Sequence, residues 1–418
     1  MTTYKPRELA QPVAQALRQM PAVAVTGMRQ TGKTTLLRED SRFKDRRYIT
    51  FDDFAQLEAA KENPEALLAG KDPLTIDEAQ KCPELFPTLK KEIDRDRRPG
   101  RFLLSGSANF LLLRNLSESL AGRAVYFNLH PLDRREIGGQ TDRAPFIHTF
   151  FSALPPSSSQ GPAAPSIPRG PFAAVGSDEI LRGGMPPVCL APDADPALWF
   201  RGFEQTYLER DVRSLAQVAD LIGFRRLMQM AALRTGQILK QSEIGRDAGL
   251  NSMTAGRYLD LLETSFAITR LAPFLKNKAS RLIKSPKLFF TDPGLAAYLA
   301  GVKDLGPTAD EPLRGALFET YACQNLAAIL SGHWPGARLH FWSVQGRHEV
   351  DFVIEEGHDS IAIEVKAATK WGPSDLAPLE IFLDQTKGCR AGILAHNGTE
   401  SVHLRGRLWA LPLALVLS

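Results

Sequence analysis

Gly27-Met28-Arg29-Gln30-Thr31-Gly32-Lys33-Thr34 places four residues between two glycines and follows the second with a lysine and a hydroxyl. This is the spacing of a P-loop, or Walker A motif. Its glycines let successive backbone N–H groups curl around phosphate oxygens, which also meet the positive end of the following helix. The pattern assigns nucleotide contacts to Gly27, Arg29, Gln30, Thr31, Gly32, Lys33, Thr34 and Thr35. Lys33 would reach the β- and γ-phosphates and Thr34 would ligate Mg2+. An accidental Gly-rich turn is the bland alternative. The apolar run before the motif and the helical pattern Thr35-Leu36-Leu37 after it argue for the functional one.

Leu74-Thr75-Ile76-Asp77-Glu78 supplies the second element, a buried strand ending in two carboxylates, as in a Walker B motif. Asp77 would hold Mg2+ through its water shell, and Glu78 would polarise the attacking water as general base. A third apolar run, Phe102-Leu103-Leu104-Ser105-Gly106-Ser107, offers Ser105 or Ser107 as a hydroxyl that senses the γ-phosphate; the sequence does not separate the two, and Ser-Gly-Ser is also ordinary turn chemistry. Arg123 is a candidate for stabilising transition-state charge, in its own subunit or a neighbour's, with a surface arginine as the alternative. Together these residues make a hydrolase acting on a nucleoside triphosphate, with Mg2+ as cofactor.

Two further constellations lie downstream. Residues 238–250 read as a helix ending in Gly249, and Asn251-Ser252 offers capping side chains for a second helix over 253–264, with Tyr258, Leu259 and Leu262 on its apolar face. Strands over 266–273 and 287–290 would complete a winged helix. Residues 221–290 hold twelve Lys or Arg against four Asp or Glu, and Arg270, Lys276, Lys278, Arg281, Lys284 and Lys287 fall where a wing would be. Each base that neutralises a phosphate displaces a counterion, so this concentration points to DNA; a protein-contact module is the other reading. Nearer the end, Glu319 sits in a helical pattern over 313–330, Asp351 in a strand pattern over 349–354, and Glu364 and Lys366 on one side of a strand over 361–366. A D…E-x-K arrangement with an upstream helical Glu resembles the restriction-endonuclease-like, PD-(D/E)XK fold. That resemblance implies Glu319, Asp351 and Glu364 as metal ligands and Lys366 as the residue that orients water or stabilises phosphate charge. Gln345 and Arg347 lie close in sequence. Such domains also serve as inactive binding modules.

These residues need elements to carry them. Apolar runs at 22–26, 48–51, 74–76, 102–105 and 124–129 alternate with helical patterns such as 34–38 and 84–93, which predicts a parallel sheet covered by helices on both faces. The stretch 153–176 is dominated by Pro, Ala, Ser and Gly and reads as an insertion or linker. The expected fold is α/β: a P-loop NTPase domain over 1–140, a Pro/Ala/Ser-rich linker over 141–177, a helical and winged-helix domain over 178–300, and a restriction-endonuclease-like α/β domain over 301–418. At 418 residues the chain is too long for one ordinary core. Its 44% hydrophobic and 23% charged residues are those of a globular protein, and a net charge of +4 says little by itself. Cys82, Cys189, Cys323 and Cys389 are far apart and form no Cys-x-x-Cys pair, which fits reduced thiols in a cytoplasm. No apolar run reaches the roughly 18 residues of a membrane span.

The run Gly27 to Thr35, Thr75-Ile76-Asp77-Glu78-Ala79-Gln80, Leu104-Ser105-Gly106-Ser107-Ala108-Asn109, Leu120-Ala121-Gly122-Arg123 and Leu129-His130-Pro131-Leu132 resembles one prokaryotic family. Its members are AAA-type ATPases of bacteria and archaea with a characteristic C-terminal domain of poorly defined function. The likeness extends through Tyr207-Leu208-Glu209-Arg210-Asp211-Val212 to Glu364-Val365-Lys366 and so covers nearly the whole chain, the Pro/Ser-rich stretch apart. It implies ATP rather than GTP. The expectation is therefore an ATPase associated with DNA and carrying a metal-dependent nuclease-like domain. The alternative is a nucleotide-switched module with an inactive nuclease-like domain, working as a homo-oligomer or with a protein partner.

Overall fold

A computed structural model describes residues 4–106, 120–155, 167–168, 172–208, 220–275, 277–306, 311–344 and 348–418. Strands β1 (Ala22–Thr26), β2 (Arg47–Thr50), β3 (Leu74–Asp77), β4 (Phe102–Ser105) and β5 (Ala124–Asn128) form one sheet in the order β2-β3-β4-β1-β5. Every neighbouring pair is parallel. In β1 the period of two sends Ala22 and Ala24 into a core with Phe86, Leu89 and Ile93. Val23 and Val25 go into another with Val13, Leu36 and Leu37. Burial on both faces is why β1, β3 and β4 read as unbroken apolar runs.

In the middle of the chain, β6 (Gln237–Ile238), β7 (Ile268–Leu271) and β8 (Lys287–Phe290) form a small antiparallel sheet in the order β6-β8-β7. It lies beside helices Gln241–Asp247 and Ser252–Thr264. Asn251 caps the second of these by accepting from Thr254 N at 2.8 Å, as its side chain allows.

A long helix, Arg314–His333, leads into β9 (Arg338–Val344), β10 (His348–Glu356), β11 (Asp359–Lys366), β12 (Cys389–His396), β13 (Val402–Arg405) and β14 (Leu408–Pro412). Their sheet is mixed, in the order β13-β14-β12-β11-β10-β9. Among the described residues no helix is long and apolar enough to cross a membrane.

Two expected boundaries differ from the structure. A single apolar cluster runs from Phe146 through Phe224, Tyr258, Phe289, Phe318 and Phe352 to Trp409 and Leu417. The middle and C-terminal segments therefore share a core, and the division at residue 300 cuts through it. Nor is the stretch from 141 all linker: Phe146–Ala153 is a helix. Its Phe146, Ile147, Phe150 and Phe151 fall on one helical side and are buried. Phe146 N donates to Ser418 O at 2.8 Å, and the Phe150 ring meets Trp409 edge-on at 5.5 Å.

Candidate nucleotide site and the C-terminal acidic cluster

The loop that follows β1 is held open by its glycines and closed on itself by its lysine. Gly27 has φ +143°, and a Cβ there would stand 2.5 Å from Leu129 O, so no other residue fits. Gly32, at φ +94°, opens the helix Lys33–Glu39. The buried Lys33 ammonium donates to Gly27 O at 3.0 Å and to Met28 O at 2.8 Å. Thr31 Oγ1 bonds Met28 O at 2.8 Å. Arg29 is half-buried, while Gln30, Thr34 and Thr35 face solvent around the same turn.

Asp77 ends β3 fully buried, with hydroxyls converging on it. Thr34 Oγ1 donates to its Oδ2 at 2.6 Å, Tyr48 OH to the same oxygen at 2.7 Å, and Ser105 Oγ to Oδ1. The strand order explains Ser105: β4 lies between β1 and β3, so its last residue ends beside both the loop and Asp77. A hydroxyl and a carboxylate at the mouth of a phosphate loop are the oxygen donors that Mg2+ takes, so these residues fit the ion.

Glu78 follows in the left-handed conformation, φ +55°, and is held by Gln80 Nε2. Burial raises its pKa above the ordinary carboxylate value. Ser107 lies outside the described residues.

Motif spacing passed over three residues here. Tyr48 sits on β2, the strand paired with β3, and Gln80 follows directly on the carboxylates. Arg7, far from any motif, donates to Thr31 O at 2.7 Å and to His130 O at 2.6 Å, and pairs with Glu136 at 3.0 Å. Only a loop backbone assembled in space gives Arg7 a reason to be there. Arg123, a candidate for transition-state charge or a surface arginine, lies away from the loop of its own chain. It precedes β5 beside Ala22, the first residue of β1, whereas the loop follows the last residue of that strand. Its guanidinium is engaged by Asp94 at 2.7 and 2.9 Å. Within one chain it is at the wrong end of the sheet to meet a phosphate.

The C-terminal residues do gather, but around an ammonium. Glu319 from the long helix and Asp351 from β10 lie 3.2 and 3.4 Å from Nζ of Lys287, and Glu349 pairs with the same nitrogen. Lys287 comes from β8 of the middle segment and its side chain is 1% exposed. Burial alone would lower its pKa; Asp351, Glu319 and Glu349 outweigh that and keep it charged. Lys366 pairs with Glu364 at 3.2 Å and Asp375 at 3.6 Å. Burial, with Asp351 adding to it, pushes Glu319 up to about 8 and Glu364 up to about 9. Asp351 Oδ2 accepts from Val365 N at 2.8 Å, which ties β10 to β11.

Glu319, Asp351 and Glu364, expected as metal ligands, make other contacts here. The first two hold an amine, and among the described residues no group of three or more His, Cys, Asp or Glu is arranged to hold a metal ion. Gln345 and Arg347 lie outside the described residues.

Three of the six wing bases have carboxylate partners, while Lys284 is exposed. Arg281 is buried and bonds Glu355 Oε1 at 3.0 Å, and Arg270 pairs with Asp260 at 2.8 Å. Lys287, read as a phosphate contact, is inside the protein. The signal was present: a lysine opening the apolar run Leu288-Phe289-Phe290 is buried with its strand and needs carboxylate partners. Lys276 and the side chain of Lys278 lie outside the described residues.

Comparison with known proteins meets this geometry from outside. Residues 19–138 match the model of an AAA domain. The uncharacterized proteins Rv2008c of Mycobacterium tuberculosis and Mb2031c of Mycobacterium bovis are each 33% identical over 364 residues, covering 86% of this chain and 73% of the relative. The chain belongs to their family of AAA-type P-loop ATPases. The remainder of the ATPase matches two domains of unknown function, DUF8612 over 177–306 and DUF4143 over 314–416. Among solved structures, the ATPase is similar to the Walker-type ATPase PABY2304 of Pyrococcus abyssi at 15% identity and a TM-score of 0.44, over 70% of this chain and 94% of that one.

Proposed function

We propose that ATP is hydrolysed where the phosphate loop meets Asp77 and Glu78, and that the rest of the chain reads the nucleotide state as an interaction module. The observation that carries the first part is the contact of Thr34 with Asp77, with Ser105 on the other carboxylate oxygen and Glu78 next along the chain. Lys33 and the loop amides hold the phosphates. Glu78 takes a proton from water as the water oxygen attacks the γ-phosphorus; the bond to the bridging oxygen breaks, and ADP leaves with phosphate. Thr34 and Asp77 would hold Mg2+, which would neutralise charge on the phosphates. Ser105 and Tyr48 orient Asp77, and Gln80 orients Glu78.

Glu78→Gln keeps the shape and loses the base. We expect it to bind ATP as the parent does while turnover falls by about a hundredfold or more. Unchanged turnover would remove Glu78 from the mechanism.

The interaction reading rests on the fate of the bases and on the contacts between segments. Arg7 touches the loop, and the adjacent Glu8 pairs with Arg135 at 2.7 Å and with His333 at the end of the long helix. Gln324 and Asn325 of that helix bond Pro131 O, Leu132 O and Arg134 N. The segment after β5 therefore lies between the ATP site and the helix that carries Glu319. DNA association through a winged-helix-like middle segment is the weaker reading, because Arg270, Arg281 and Lys287 already have carboxylate partners. A metal-dependent cut is favoured only by the convergence of Glu319, Asp351, Glu364 and Lys366.

A further inference from the structure

The acidic cluster is assembled from parts that are separate in sequence. Glu319 comes from the long helix, Glu349 and Asp351 from β10, Glu364 from β11, and the cation from β8 of the segment before them. Lys287 Nζ is 3.2 Å from Glu319 Oε2 and 3.4 Å from Asp351 Oδ1. A divalent ion bound by those two oxygens would share them with the positive charge of that ammonium. Two cations on the same oxygens repel, so each disfavours the other. Four carboxyl groups, Glu319, Glu349, Asp351 and Glu364, gather with two amines, Lys287 and Lys366, and Glu319 and Glu364 hold their protons more tightly than ordinary carboxyls. Glu364 Oε2 is buried with no hydrogen-bond partner among the described residues, on a side chain only 10% exposed.

We propose that Lys287 is a tethered counter-ion that occupies the place of a divalent cation in the C-terminal domain, so that docking of the middle segment and metal binding exclude each other. The ammonium reaches the cluster only while β8 is packed on the long helix and β10, through contacts such as Phe289 on Phe352 at 5.7 Å. A device that withdraws β8 exposes the acids; one that seats it shuts them. This rests on the reading of the C-terminal half as a module whose acidic site is not engaged in cleavage, and it adds what holds the site closed.

Mn2+ uptake by the full chain, followed by electron paramagnetic resonance without nucleotide, tests it. The parent and Asp351→Asn should take up the same amount of Mn2+. Lys287→Met should bind one additional ion, on the order of a hundredfold tighter than the parent does at this cluster. The additional ion should vanish in Lys287→Met/Asp351→Asn, and Lys287→Arg should not acquire it. Lower uptake by Asp351→Asn than by the parent would overturn the proposal, and that comparison stands even if Lys287→Met does not fold. So would an absence of new binding in a folded Lys287→Met. Whether the Mn2+-loaded variant cuts DNA bears on cleavage, and leaves the exclusion of metal by Lys287 untouched.

Discussion

Glu78 acts as a base only when ionised, and burial holds its pKa above the ordinary carboxylate value of 4.5. Turnover should therefore fall on the acid side at a higher pH than an ordinary carboxylate would give, and the kcat–pH profile reads this directly. An acid limb at or below 4.5 would show that another group limits the reaction. The sign for stability is opposite. The folded state holds this proton more tightly than the unfolded chain, so the contribution of Glu78 is present below the unfolded pKa and is lost as pH rises through the folded one. Burial is the cause, and Gln80 opposes it, since its amide donates to the carboxylate and favours the ionised form. Among single residues, the reading of Lys287 changed most. Composition made it one more base in a basic stretch; its place among Glu319, Glu349 and Asp351 makes it an internal cation.

At the scale of elements, the order β3-β4-β1 does what motif spacing cannot. It brings Ser105 onto Asp77 at the end of the sheet where the loop lies. The turn into the helix Lys33–Glu39 depends on close approach as well as on φ. Gly27→Ala would drive a methyl to 2.5 Å from Leu129 O, whereas Gly122, at φ +70°, has nothing within 4 Å of a built Cβ. Gly122→Ala should cost only backbone strain, about 1 kcal/mol. Gly27→Ala should cost several times that and abolish nucleotide binding. Thermal melts of the two variants with and without ATP separate these outcomes; equal melting points would place the loop differently.

The whole molecule divides otherwise than its composition suggests. The shared core from Phe146 to Leu417 makes the middle and C-terminal segments one packed body, with buried ion pairs Arg281–Glu355 and Lys287–Glu319 inside it. Those pairs consume charge that would otherwise meet phosphates. DNA binding by the purified chain should be weak, with a salt slope reporting fewer than about three displaced counterions. Fluorescence anisotropy across a salt series measures that slope. A steep one would mean that the wing bases leave their carboxylates for DNA.

Much of the ATP site was legible in the sequence because its chemistry is local: Gly27 to Thr34 make one turn, and Asp77-Glu78 end one strand. The central strands of the first sheet, β1, β3 and β4, were legible for the same reason, as runs buried on both faces. The C-terminal acids could be listed from strand alternation and a helical Glu, but not what they hold. That was decided by β8 packing against the long helix and β10, which brings Lys287 to residues 32 and 64 positions later. Whether a charge meets solvent, phosphate or a carboxylate depends on burial and on distant partners, and only the tertiary structure supplies both.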